Sequence, residues 1–110
     1  MAVGLKTSGS QTATLTTEHT LATITDAGTY ELWVDTDALV NGETVVLKAK
    51  CKLAGSGDTA KLEWQAVYVH DQGADIIKRS GPIPGPFSIE FTLTQTGGTG
   101  RAFPWAIYSY

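Results

Sequence analysis

Hydrophobic and polar residues alternate with a period of two over much of this chain, the spacing of strands that bury one face and wet the other. The clearest run is 44–53, where Val45, Leu47, Ala49, Cys51 and Leu53 alternate with Val46, Lys48, Lys50 and Lys52. The Gly/Ser-rich residues 54–58 predict a hairpin loop. The chain then returns over 59–70 with Leu62, Trp64, Ala66, Tyr68 and His70 on one face and Lys61, Glu63, Gln65, Val67 and Val69 on the other. Earlier, Tyr30, Leu32 and Val34 share a face opposite Glu31, Trp33 and Asp35. Over 87–95, Phe87, Ile89, Phe91 and Leu93 point inward and Ser88, Glu90, Thr92 and Thr94 outward. The final run, 102–110, sets Phe103, Trp105 and Ile107 against Pro104, Ala106, Tyr108 and Tyr110.

Weaker signals fill the gaps. Alternating threonines predict strands over 12–17 and 20–25, and 76–80 predicts a short one. Asn41-Gly42 is a turn signal, preceded by residues 36–40 that could close one helical turn. Three prolines, Pro82, Pro84 and Pro86, exclude a central strand over 81–86 and predict an extended connection. Residues 1–11 are polar and without period, which predicts a flexible N-terminal arm ahead of a single domain over 12–110. About seven or eight strands at near-regular spacing, with little or no helix, predict an all-β, antiparallel β-sandwich of jelly-roll type.

The length of 110 residues fits one hydrophobic core. A net charge of −3 argues against a nucleic-acid binder with a basic surface. Lys48, Lys50 and Lys52 form a basic ladder too small to change that, and they fit a strand face guarded against aggregation. The lone Cys51 excludes an internal disulfide and a cysteine-rich metal site. Apolar runs of only a few residues argue against a membrane span, and the start of the chain has no signal-peptide stretch. The expectation is a product of a reducing cytoplasm.

No catalytic, cofactor-binding or metal-ligating constellation emerges. His70 beside Asp71 could orient a base, but a strand-end pair on a wet surface explains it. Asp35-Thr36-Asp37 offers alternating oxygens without the rest of a calcium loop. Gly97-Gly98-Thr99-Gly100 lacks phosphate-loop spacing. The expectation is a protein that is not an enzyme. Trp33, opposite the apolar face of its strand, is a candidate for stacking on a sugar ring, which keeps a carbohydrate-binding module open. Protein contact is the stronger expectation, with candidates Leu5 in the arm, Pro82, Pro84 and Pro86 in the connection, and Arg101, Phe103, Trp105, Tyr108 and Tyr110 near the C-terminus. Arg and aromatic residues are enriched at binding hot spots.

Three stretches carry a resemblance over nearly the whole chain: Leu15-Thr16-Thr17-Glu18-His19-Thr20-Leu21-Ala22, the segment from Tyr30 through Asn41-Gly42-Glu43-Thr44-Val45, and the ending from Leu93 to Trp105, in which Gly100-Arg101-Ala102-Phe103-Pro104-Trp105 is the most telling motif. They resemble short virion structural proteins of tailed bacteriophages. The resemblance implies a decoration or cement protein on the outer capsid surface. Its partner would be the major capsid protein, and it would act as a homo-oligomer, trimers being frequent among such proteins. It carries no catalytic residues to transfer. From the residues themselves no cofactor is expected, and neither nucleic acid nor membrane is expected as partner. A head-fibre or tail module that binds carbohydrate, and a tail or connector component, are the alternatives.

Overall fold

The structure, a computed structural model, describes residues 3–40, 42–55, 57–69 and 76–110. Nine strands follow in order: β1 (Gly4–Thr12), β2 (His19–Ile24), β3 (Gly28–Asp35), β4 (Thr44–Cys51), β5 (Lys61–Val69), β6 (Ile77–Arg79), β7 (Ile83–Gly85), β8 (Ile89–Gln95) and β9 (Ala102–Ser109). They form two antiparallel sheets. One has the order β1-β9-β3-β6, with β7 also paired to β3, and the other the order β2-β8-β4-β5. β6 pairs with Trp33–Asp35 and β7 with Gly28–Tyr30, so together they act as one broken edge strand. Counted that way, the chain makes two four-stranded sheets of jelly-roll connectivity. β4 and β5 are the hairpin within a sheet; most other connections cross from one sheet to the other.

The core lies between the sheets. Leu32, Val34, Phe103 and Ile107 from β3 and β9 face Val45, Leu47, Ala49, Phe91 and Leu93 from β4 and β8, and all are fully buried. These are the inward positions expected from the alternation, carried by the central strands of each sheet. Partly buried Trp64, Tyr68 and Trp105 pack against this cluster. Where the edges of β5 and β6 lie near each other, the Lys78 ammonium sits 5.2 Å from the centre of the Tyr68 ring.

Several local expectations need correction. The residues read as an arm form β1, paired with β9 from Gly4↔Ser109 to Thr12↔Ala102. β1 escapes a periodicity test because most of its residues are exposed, so neither face carries an apolar row. Gly9 lies against Trp105, whose Cζ2 is 3.0 Å from where a Cβ would stand, and this lets the indole tuck beneath the strand. Residues 13–18 are a loop instead of a strand. Thr16 has φ 63°, and the loop is held by Ala13 N–H to Arg101 O at 2.8 Å and Thr16 N–H to Gln95 O at 2.8 Å. Residues 36–39 form a hydrogen-bonded β-turn instead of a turn of helix, closed by Leu39 N–H to Thr36 O at 3.0 Å. Phe87 precedes β8 and is exposed, and Leu62 is turned outward beside a register shift between Ala49 and Lys50. The predicted connection over 81–86 contains β7, whose proline is tolerated on a sheet edge. His70 and Asp71 lie outside the described residues.

Phe91 is fully enclosed on a central strand. Phe91→Ala is expected to lower unfolding free energy by about 3–5 kcal/mol, checked by denaturant titration with an unchanged m-value.

Candidate protein-contact face

The residues singled out in sequence divide among three places. The first is the outer face of the β1-β9-β3-β6 sheet. Because Leu32 and Val34 point into the core, Trp33 points away from it, and strand pairing sets its neighbours. Trp33 is opposite Ala106 on one side and Arg79 on the other, while Tyr108 is opposite Glu31 and Leu5. The face therefore gathers Leu5, Tyr108, Trp33 and Arg79. The Arg79 guanidinium lies 4.0 Å from the centre of a Trp33 ring. The Tyr108 ring meets Trp33 at 4.8 Å and a 51° tilt. Beside this stack is a shallow depression of about 220 Å³ whose lining includes Trp33, Ile77, Pro104, Trp105 and Tyr108. Ile77 and Leu5 are exposed apolar side chains on the same face. The Trp33 indole N–H is buried with no hydrogen-bond partner among the described residues, which carries a desolvation cost of about 1–3 kcal/mol.

Tyr110 closes one end of this face. Its hydroxyl donates to Glu31 Oε1, which holds the phenol pKa above its usual value, and its backbone N–H bonds Thr29 O at 3.0 Å. Glu31 is correspondingly buried, an acid on the outer face that a tyrosine covers.

The second place is the end of the sandwich where the loop after β8 meets the loop before β4. Here Arg101 is anchored. Its Nε and Nη2 donate to Glu43 Oε1 and Oε2, each at 3.0 Å. Glu43 also accepts from Val40 N–H and Thr99 N–H, both at 2.9 Å. Fully buried Gln95 completes the clamp, donating to Gly97 O and Thr99 O and accepting from Arg101 N–H at 2.9 Å. The carboxylate sits where a Cβ on Gly98 would be, and Gly98 has φ 82°, so this position takes no side chain. The Arg101 bond, followed by the Val40 and Thr99 amides, outweighs the burial penalty and holds the Glu43 pKa down at about 2. Phe103, two residues on, is a core side chain and offers no surface to a partner. The most telling motif of the sequence thus spends its arginine and phenylalanine on internal structure.

The third place is the edge formed by β7 and β5. Pro82, Pro84 and Pro86 are exposed there, apart from the aromatic face. Arg79, Ile77 and Glu43 were not legible as site residues. Their roles depend on strand pairing and loop apposition, for which nearby sequence holds no signal.

Comparison with family models, curated proteins and solved structures gives no significant match.

Glu43 binds its proton more weakly in the folded chain than at its ordinary value of 4.5. Its contribution to stability is therefore complete above about pH 4.5 and is lost as pH falls toward 2. Glu43→Gln should flatten the acid limb of the stability curve over that window and cost about 2–4 kcal/mol at neutral pH, measured by denaturation at a series of pH values.

Proposed function

We propose that this chain is a non-enzymatic structural protein of a tailed-bacteriophage virion, made in the host cytoplasm and bound to the outer capsid surface as a decoration or cement protein. The major capsid protein is its partner in this reading. The carrying observation is the Arg79–Trp33–Tyr108 stack on the outer face of a rigid sheet, flanked by Leu5 and Ile77. Arg, Trp and Tyr are the residue types that dominate binding energy at protein interfaces, and a sheet holds them at little entropic cost. The sequence resemblance supplies the choice of partner. A jelly roll hosts many functions, so the fold alone does not select this one.

Carbohydrate stacking on Trp33 ranks second. A sugar ring needs a free indole face, and the guanidinium of Arg79 lies against that ring system at 4.0 Å.

The test is co-sedimentation of the purified protein with capsids lacking it. Saturation at a fixed ratio to capsid subunits is expected. Trp33→Ala and Arg79→Glu should each weaken binding by roughly thirty-fold, the loss of a hot spot worth about 2 kcal/mol. Absence of wild-type binding to expanded shells sinks the capsid reading. A glycan-array signal that disappears in Trp33→Ala would then favour the sugar module.

A further inference from the structure

We propose that Tyr110 is a positioning residue for the aromatic face: its hydroxyl occupies Glu31 and so keeps the Arg79 guanidinium stacked on Trp33 instead of paired with that acid. The face is the one the proposed function uses, and only the binding consequence rests on that reading.

Strand register sets Arg79 between two acids. Its Cα partner on β3 is Trp33. Residues two apart on a strand share a face, so Glu31 and Asp35 flank Trp33 on the outer face, each diagonal to Arg79. Diagonal neighbours are within reach of a long side chain, and an arginine–carboxylate pair is among the stronger contacts open to it. Among the described residues, however, Arg79 joins no ion pair and no hydrogen bond through its side chain, and its guanidinium rests 4.0 Å from the centre of a Trp33 ring.

Each acid has another donor. Asp35 Oδ1 accepts from Asp37 N–H at 2.9 Å, a local bond after the end of β3. Glu31 Oε1 accepts from the Tyr110 hydroxyl, 79 residues away in the chain. Of the two acids Glu31 has the greater need, because it is only 7% exposed, and a carboxylate so far from water must be given a donor. Arg79 stands near enough to compete for it. The bond to Glu31 raises the Tyr110 pKa, while the charge of Arg79 acts on the same phenol in the opposite sense. The tyrosine is fixed for this task by its backbone N–H, which bonds Thr29 O at 3.0 Å and ties residue 110 beside β3.

With Glu31 occupied, Arg79 stays exposed on the indole with its N–H donors left for a partner. Without the hydroxyl, a buried carboxylate lacking a donor draws the guanidinium off Trp33, because an unpaired buried charge costs more than a cation–π contact returns. The face would then lose its cation to an internal ion pair.

NMR of the free chain tests this through the Arg79 side-chain protons, which a stacked indole shifts upfield. Wild type is expected to show that shift. Tyr110→Phe should lose it, with the Arg79 resonances moving to those of an unstacked arginine. Glu31→Gln should keep it, since it removes the competing charge and leaves the tyrosine an acceptor. The double variant, Tyr110→Phe with Glu31→Gln, should recover it, and this separates repositioning of Arg79 from damage to the sheet. In co-sedimentation, Tyr110→Phe should weaken capsid binding by several-fold, and the double variant should restore it. An upfield shift that is absent from wild type, persists in Tyr110→Phe, disappears in Glu31→Gln or stays lost in the double variant overturns the proposal. Because the NMR readout needs no capsid, a wild type that fails to bind capsids sinks the proposed function alone.

Discussion

The structure depends on the face-to-face burial of four central strands, β3 and β9 from one sheet and β4 and β8 from the other. Alternation of side chains along a strand leaves each of them one face for the core, and those faces hold the fully buried Leu32, Val34, Leu47, Phe91, Leu93, Phe103 and Ile107. Apolar burial of this kind is non-directional, so it fixes that the sheets meet but not how their ends align. Directional contacts supply alignment. The Glu43–Arg101–Gln95 clamp ties the loop before β4 to the loop after β8, where a buried acid is tolerated because its oxygens accept from the guanidinium and two amides.

β9 shows how one strand serves two purposes. Its inward row, Phe103 and Ile107, completes the core, while its outward row, Pro104, Ala106 and Tyr108, helps build the aromatic face. The alternation makes these roles separable. A substitution on the outer row leaves the core residues where they are. The Arg79–Trp33–Tyr108 stack is positioned by backbone pairing to β3 and β9, not by a flexible loop, so the face is held in place before any partner arrives.

Much of this was legible in the sequence wherever a strand has one dry face. Val45, Leu47 and Ala49, then Ile89, Phe91 and Leu93, declare their inward direction by period alone. β1 was not legible, because a mostly wetted edge strand of Gly, Ser and Thr has no period to show. Thr12, Thr14 and Thr16 imitate alternation although much of that stretch forms a loop. Trp33, Leu5 and Tyr108 could each be named as surface candidates, but their convergence on one face follows from β9 lying between β1 and β3. Arg79 sits in a three-residue strand too short to reveal its direction. The basic and aromatic ending looked like a contact motif because Arg101 and Phe103 are of hot-spot type. Residue type is the same in a clamp, a core and an interface, and position in three dimensions distinguishes them.

The placement of β8 and β9 also governs how the chain reaches this state. Both are central, yet they follow the other seven described strands in chain order, and β9 pairs with β1, Gly4 opposite Ser109. A chain emerging from the ribosome holds the β4–β5 hairpin early, but β1 and β2 have no sheet partners until residues 89–109 have been synthesised. Closing such distant pairs costs loop entropy before burial returns it, so folding belongs to the slower kind. During that interval the polar, glycine- and serine-bearing character of β1 keeps its waiting edges soluble.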